Sequence, residues 1–301
     1  MKMPPKAPAK AAEPEPEVPL RPLTEDEKRA IFLKKLPDHK AAGEVKEICE
    51  GMQQFEKVAQ IQTIALRQLN SLATTKDGSA PEKRDLIRKF SGLERVIKAL
   101  DSHGDDKELY KEAFACLCHL TQTHSTMHKE KFGDTGGIER IVVGMAELKS
   151  DQDLQKLGCV ALHNLASVSF NCDKIAAASG IERLLDALEL YSVLEIQLHA
   201  CGALQILSVA AENRSRIVAG GGCERIVTAM TRHPLSVELA EHTCGALFNV
   251  GCATPALKDK LTASRDAQSV RGALQRAMAQ PEATDNTKTY GKLILDALAV
   301  N

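Results

Sequence analysis

The stretch that decides the fold runs from His199 to Met230 and reads HACGALQILSVAAENRSRIVAGGGCERIVTAM. It is rich in Ala, Leu and Gly and contains no catalytic motif. Its two apolar segments, GALQILS and GCERIVTAM, flank a short segment with basic residues, and all three parts recur elsewhere in the chain. Landmarks that recur in a fixed order indicate a repeat protein, so the period of this pattern predicts the architecture.

Three landmarks recur with the same rhythm. The first is the glycine that opens GLERVIKAL, GIERIVVGM, GIERLLDAL and GCERIVTAM, at Gly92, Gly137, Gly180 and Gly222, with intervals of 45, 43 and 42 residues. The second is one apolar position in ACLCHLT, VALHNLA, GALQILS and GALFNVG, at Leu120, Leu165, Leu207 and Val250. The third is a basic segment, seen as KEKF, CDKI, RSRI and KDKL. Since all three landmarks recur at nearly the same intervals, the chain is predicted to be a repeat array.

Each period predicts three helices: a short basic helix, a second helix that begins at the repeated glycine, and a longer third helix with the Ala-Leu pair. In the second helix, positions 181, 184, 185 and 188 are apolar, which is helical spacing. The glycine is expected to permit the tight turn before that helix. One unit cannot cover its own apolar face, so units must stack. The prediction is an all-α, right-handed α-solenoid of about six three-helix repeats.

Composition narrows the class of protein. The 301 residues include no Trp and only 3% aromatic residues, and the net charge is −1. Small and aliphatic side chains suit closely packed helices, and the near-zero charge gives no support for a nucleic-acid partner. The stretch Ile196–Ala211 lacks Asp, Glu, Lys and Arg but is too short to span a bilayer, so no membrane insertion is expected. Nine cysteines without a secretory leader predict a reducing, cytoplasmic location, with a cytoskeletal or ciliary one as an alternative.

The pattern also predicts the domain organisation. Residues 1–23 are rich in Pro, Ala, Lys and Glu and are predicted to be a disordered tail. Residues 24–39 are predicted to form a short helix that starts at the capping box TEDE. The solenoid is predicted over residues 40–301, with units near 40–78, 79–125, 126–169, 170–211, 212–253 and 254–301.

The repeat resembles the armadillo repeat. ENRSRIVAGGGCERI and ALHNLA are similar to that family's basic first helix with Asn, its Gly before the second helix, and its ALxNLA third helix. The AMxxH and CGALxNLA signatures look closest to vacuolar-protein-8-like and protist repeats, and more distantly to importin-α and β-catenin. HEAT repeats are the alternative, but they have two helices and lack the Gly-Ile and Asn landmarks.

The resemblance implies that a groove along the third helices binds an extended partner segment. Importin-α-like members use a Trp and an Asn four residues later. This chain keeps the Asn at Asn164 and Asn249, and has His119 and Ile206 at the same place in two other units. It has no Trp, and the Trp position holds Ala115, Val160, Gly202 and Gly245. Nuclear-import cargo is therefore disfavoured, whereas groove binding in general is not.

Two charged rows follow the period. An acid lies twelve residues before the apolar position of each central unit, at Glu108, Asp153, Glu195 and Glu238. These acids either form a ridge for a basic partner or complement the dipole at a helix N-terminus. A basic row on the first helices comprises Lys131, Lys174, Arg216 and Lys260. It either binds acidic or phosphate-rich partners or is a solvated face.

Metal and catalytic chemistry have weak support. The segment CLCHLTQTHSTMH contains Cys116, Cys118 and His119, and its His124 and His128 have the i,i+4 spacing of a metal pair on a helix. Cys-x-Cys-His is not a familiar zinc spacing, however. Cys159, Cys201 and Cys244 recur with the period and are predicted to be core residues. No metal, no cofactor and no enzymatic activity are predicted.

The sequence thus predicts a non-catalytic scaffold or adaptor that binds a basic or extended protein segment along the third-helix groove. Asn164 and Asn249 would bind its backbone, while His119 and the acidic row would add specificity. One alternative is a structural subunit of a cytoskeletal or ciliary assembly, with self-association through the C-terminal helix as an option. A metal-binding or catalytic protein is a further alternative.

Overall fold

The computed structural model describes residues 24, 26, 30–32, 34, 45–252 and 267–299. The tail predicted for residues 1–23, Lys260 of the basic row, and the KDKL segment lie outside these residues. Within the short helix predicted for residues 24–39, residues 26, 30–32 and 34 are helical.

Between residues 45 and 299 the described residues form sixteen helices and no strand. They are α1 (Val45–Gln54), α2 (Ala59–Ala73), α3 (Ala80–Lys89), α4 (Gly92–His103), α5 (Lys107–Leu120), α6 (Thr126–Asp134), α7 (Gly137–Glu147), α8 (Gln152–Ala166), α9 (Ser169–Ala177), α10 (Gly180–Leu190), α11 (Leu194–Leu207), α12 (Ala211–Ala219), α13 (Gly222–Arg232), α14 (Val237–Cys252), α15 (Ala267–Ala279) and α16 (Asp285–Ala299).

The helices confirm the predicted all-α solenoid. The triplets α3–α5, α6–α8, α9–α11 and α12–α14 each contain a short first helix, a second helix and a longer third helix. The pairs α1–α2 and α15–α16 are the second and third helices at the two ends. Each third helix packs on the next, in the order α2, α5, α8, α11, α14 and α16, so their row runs the length of the array. One continuous apolar core joins all the units.

The repeated glycine has a different role from the one predicted. At each of these four turns the residue with positive φ is the one just before the repeated glycine, namely Ser91, Gly136, Ser179 or Gly221. The repeated glycine instead begins the second helix, where there is no room for a Cβ. At Gly180 a Cβ would lie 2.5 Å from Cγ2 and 2.8 Å from the carbonyl oxygen of Ile175. Close packing of the first helix, rather than the turn, therefore requires this glycine.

The basic row ties successive units together. Lys131 lies 2.5 Å from Glu94, and Lys174 lies 2.9 Å from Asp134. Arg216 forms a bidentate pair with Glu182 and donates to the carbonyl of Ala176. Each of these bonds joins a first helix to a helix of the preceding unit. The described part of the row is thus an inter-unit contact, in which Lys131 is exposed and Lys174 and Arg216 are half-buried.

A second ladder joins the loops between second and third helices along one edge of the solenoid. His103 lies 2.7 Å from the carbonyl oxygen of Glu56, and the Tyr191 hydroxyl donates to that of Lys149. Two further contacts of the same kind join the following units: His233 with the Ser192 carbonyl, and Gln280 with the Pro234 carbonyl. In all four, a side chain of the later unit meets a loop carbonyl of the earlier one.

Candidate partner-binding groove

The row of third helices brings all seven predicted site residues onto one surface. The acids Glu108, Asp153, Glu195 and Glu238 lie in the first turns of α5, α8, α11 and α14 and are exposed. The half-buried His119, Asn164 and Asn249 lie near the C-terminal ends of α5, α8 and α14. The acids therefore line one side of the groove and the His and Asn residues line the other.

Two of the acids form ion pairs with the preceding third helix, and a third forms one within its own helix. Arg67 of α2 pairs with Glu108 and lies 3.2 Å from Glu112, both on α5. Lys156 of α8 lies 3.3 Å from Glu195 and 3.8 Å from Asp153. Glu108, Asp153 and Glu195 remain largely exposed, whereas Glu112 is half-buried. Exposed ion pairs contribute little, about 0–1 kcal/mol each. An incoming cation can therefore replace them at small cost.

The predicted amides are bonded within the chain. Asn249 Nδ2 donates to the carbonyl of Gln205 at 3.2 Å and to Ser208 Oγ at 3.1 Å. Asn164 Nδ2 lies 3.5 Å from Thr121 Oγ1, at the limit of a hydrogen bond. Both bonds cross to the third helix of the preceding unit or its end. A partner backbone would have to exchange these bonds, more easily at Asn164 than at Asn249.

The floor of the groove is built from rungs, which are pairs of side chains that join successive third helices. One member of each pair lies two residues before the repeated apolar position of its own unit. The other member belongs to the next unit and lies eight residues before the repeated apolar position there. The observed rungs are Asn70–Glu112, His163–His199, Gln205–His242 and Phe248–Tyr290. The repeat thus fixes the place of each rung while its chemistry changes along the groove.

Three histidines meet at the middle of the groove. The Nδ1 atoms of His163 and His199 lie 3.2 Å apart, and His242 Nδ1 lies 2.8 Å from Gln205 Oε1. The His163 ring meets that of His242 edge-on, with centroids 5.3 Å apart. Two close Nδ1 atoms need one proton between them, which a pair of neutral imidazoles provides.

Burial keeps these imidazoles neutral. It lowers the pKa of His163 to about 4, and the neighbouring His242, His199 and Lys129 act in the same direction. Burial also lowers the pKa values of His199 and His242, although the nearby Glu238 opposes this. At the N-terminal end of the groove, burial and then Arg84 lower the pKa of His119 to about 4, and its Nδ1 lies 3.2 Å from Asn70 Oδ1. The groove floor therefore carries no imidazolium charge near neutral pH.

Two glycines leave the space that the rung side chains occupy, at positions where the importin-α-like pattern has Trp. A Cβ on Gly202 would lie 2.6 Å from the ring of His163, and one on Gly245 would overlap the side chain of Gln205. The chain's own side chains therefore cover two of the positions that correspond to Trp in the importin-α-like pattern. The sequence indicates part of the histidine cluster, because His199 and His242 are 43 residues apart and so share one position of the repeat. His163 occupies a different position in its unit, and the repeat therefore gives no sign that it joins the other two.

The prediction that two histidines form an i,i+4 metal pair on one helix is wrong. His124 precedes α6, which begins at Thr126, so His124 and His128 do not lie on one helix. Among the residues that the structure describes, no group of three His, Cys, Asp or Glu side chains is placed to hold a metal ion.

Cys159, Cys201 and Cys244 are fully buried, as predicted for core residues, and burial raises the pKa of Cys159 and Cys244 to about 12. Over the described ranges, no helix has the length and apolar character needed to cross a membrane.

The arrangement of helices matches that of solved armadillo-repeat structures. A designed armadillo repeat protein is 18% identical, with a TM-score of 0.63 over 84% of this chain and 99% of that one. Another, solved in complex with the peptide (KR)4, is 19% identical, with a TM-score of 0.61 over 85% and 99%. The chain has the armadillo-repeat fold.

A natural protein shares the same architecture. A chain from a structure of the interaction between cadherin and β-catenin, controlled by a phosphorylation switch, is 14% identical, with a TM-score of 0.67 over 92% of this chain. This chain spans 59% of the length of that one. No family model matches the sequence, and no curated protein sequence matches it either. The vacuolar-protein-8-like assignment stays a prediction.

Proposed function

We propose that the protein is a non-catalytic scaffold that binds an extended basic segment of a partner protein along the third-helix groove. The observation that carries this proposal is the row of exposed acids at one side of that groove. One exposed carboxylate on each of four successive third helices offers an extended basic peptide one anionic contact per unit. A protein of the same fold binds a peptide of alternating Lys and Arg residues, which supports the same chemistry here.

In this mechanism the two sides of the groove have different roles. The acids Glu108, Asp153, Glu195 and Glu238 attract the partner's cations and set its register. Asn164 and Asn249 exchange their bonds within the chain for bonds to the partner backbone, and His119 contributes a neutral imidazole at the N-terminal end. Each contact is weak, and affinity comes from their number along the groove.

The test compares two charge reversals of the same kind. Binding of a labelled (KR)4 peptide is measured by fluorescence anisotropy for Glu195→Lys in the groove and for Glu212→Lys, which change the net charge by the same amount. Glu212 is also an exposed acid in a first turn, but it lies on α12, away from the groove. We expect the groove variant to weaken binding about tenfold or more and the control to leave it within about twofold. Equal losses in the two variants would mean that net charge alone attracts the peptide.

A second candidate is a structural subunit of a larger assembly. It is favoured by apolar side chains that are exposed outside the groove: Leu235 is 88% exposed, Val209 71% and Met127 68%. Burial of such side chains would stabilise a permanent contact. Self-association through α16 has less support, because its exposed residues are polar apart from Leu293 and Ala299. Recovery of the same large complex with wild type and with the groove variant would favour the subunit role.

A further inference from the structure

A cavity of about 460 Å³ lies between the first helices of two successive units, away from the groove. Arg88 and Lys89, at the end of α3, line one side of it, and His128 and Lys131 of α6 line the other. One acid, Asp85, also lines the cavity, and it pairs with Arg88. Cationic groups therefore outnumber acids around this space.

This cavity occurs where the unit departs from the repeat. His128 is the third residue of α6, and the third residues of α9 and α12 are Asn171 and Asn213. Those two amides are buried and donate to the carbonyls at the ends of the preceding third helices, Leu165 and Leu207. The equivalent bond is absent for His128 in the described structure.

Arg88 takes over the task of the missing asparagine. Its Nη1 donates to the Leu120 carbonyl at 2.8 Å, which is the carbonyl that an Asn at position 128 would reach. Arg88 lies four residues before the repeated glycine, where later units have Gly133, Ala176 and Val218. A large cation thus replaces a small residue at this one place, and it leaves the imidazole of His128 beside the cavity.

Two polar atoms of these residues have no hydrogen-bond partner among the residues that the structure describes. Arg88 is only 8% exposed, and its Nε makes no hydrogen bond to any described residue. Within the same part of the chain, the buried Nδ1 of His128 is also without a bond. Buried polar groups are normally paired, so their donors and acceptors indicate a ligand. The first turn of α6, with Met127 and His128, adds the positive end of a helix dipole.

We propose that this cavity binds a phosphate monoester that carries an apolar substituent. Arg88, Lys89 and Lys131 would surround the phosphate dianion, because guanidinium and ammonium groups give charge-assisted bonds to its oxygens. Lys131 also pairs with Glu94, and it can turn between the two anions. Leu93 and the exposed Met127 line the same cavity and would contact the apolar substituent.

The experiment is a calorimetric titration of the full chain with phenyl phosphate at low salt. We expect saturable 1:1 binding, about tenfold weaker binding of inorganic phosphate because it lacks the apolar group, and similarly weak binding of benzoate. The variant Lys131→Gln should lose about tenfold in affinity, whereas Lys174→Gln, at the equivalent place in the next unit, should keep it. No saturable binding by wild type, or equal losses in the two variants, would overturn the proposal.

A second variant guards against loss of fold. His128→Asn installs the residue that the neighbouring units have, so it should fold and melt at or above the wild-type temperature. It should still weaken phenyl phosphate binding, because the amide turns to the Leu120 carbonyl. Unchanged affinity in His128→Asn would exclude this imidazole from the site. A phosphotyrosine peptide that binds tighter than phenyl phosphate would identify a protein as the source of the phosphate, and a peptide that binds about tenfold more weakly would identify a small molecule.

Discussion

At its N-terminal end the groove is crossed by charged side chains, whereas at its middle the same places hold neutral imidazoles. Glu112 lies eight residues before its repeated apolar position and bonds to Asn70, with Arg67 beside it. His199 and His242 occupy that place in later units and bond to His163 and Gln205. The backbone position is shared, so the difference lies wholly in the side chains.

This comparison teaches how a repeat with uniform geometry can recognise a non-uniform partner. The rungs change from an amide–carboxylate pair, through imidazoles, to the stacked rings of Phe248 and Tyr290, whose centroids lie 5.0 Å apart. A segment that lies along the groove would meet a different chemical environment at each unit. Specificity can thus come from the order of rungs rather than from any single strong contact.

The largest expected effect comes from a substitution at Gly202, the glycine that leaves space for the His163 ring. In Gly202→Ala the new Cβ would lie 2.6 Å from the His163 ring and displace it, so we expect a loss of about 2–3 kcal/mol in the free energy of unfolding. The control is Gly272→Ala, in a helix interior where the nearest atom is 3.3 Å away. It should stabilise by up to about 1 kcal/mol through helix propensity. The measurement is urea denaturation of both variants. A change in the free energy of unfolding that has the same sign in both would contradict a steric requirement for Gly202.

The second prediction concerns pH and separates the two regions. The folded pKa of His163 is about 4, below the ordinary value of 6.5, so the unfolded state binds more protons between these values. The stability that this residue contributes is therefore complete above about pH 6.5, and it falls by about 2 kcal/mol between pH 6.5 and 4.5. His163→Gln should remove that part of the pH dependence in urea denaturation.

The N-terminal end of the groove also contains a histidine that contributes to stability over the same pH range. His119 has a similarly lowered pKa, so His119→Gln must be measured in parallel to divide the pH dependence between the two ends. A wild-type protein whose stability does not change between pH 6.5 and 4.5 would contradict the neutral imidazole cluster. Carboxylate effects appear mainly below that range and serve as an internal reference.

The smallest expected effect comes from breaking the charged region at Arg67. Arg67→Ala leaves Glu108 and Glu112 without their cation, and we expect a loss below about 1 kcal/mol because the pairs are exposed. The loss should shrink in 1 M salt, where the Debye length is about 3 Å. His163→Gln should show no such salt dependence at pH 7. A salt-independent loss in Arg67→Ala would assign Arg67 a packing role instead.

The period of the sequence predicted the fold well because each landmark sits on a buried face. Leu120, Leu165, Leu207 and Val250 are all fully buried, so their spacing reports the stacking directly. The acidic row was placed correctly for a related reason, since first turns follow from the same period. The seven site residues share one surface, but their role in binding stays a prediction.

What the sequence could not predict depends on contacts between different positions of neighbouring units. His163 meets His199 only because α8 packs on α11 with a particular offset, and no spacing in the sequence contains that offset. The repeated glycine was found correctly but explained wrongly, because the steric conflict with Ile175 arises only once α9 folds back on α10. Ser91 and Ser179 adopt the left-handed conformation that the sequence assigned to the following glycine.

The ladder along the loop edge has a direction, and this direction bears on biosynthesis. In each contact, from His103 with Glu56 to Gln280 with Pro234, the acceptor carbonyl belongs to the unit that leaves the ribosome first. A folded unit therefore already presents the acceptor that the next unit needs. Each newly made unit can complete its edge against the units already synthesised, before any later unit exists. The direction of these contacts is compatible with folding during synthesis, one unit at a time, from the N-terminal end.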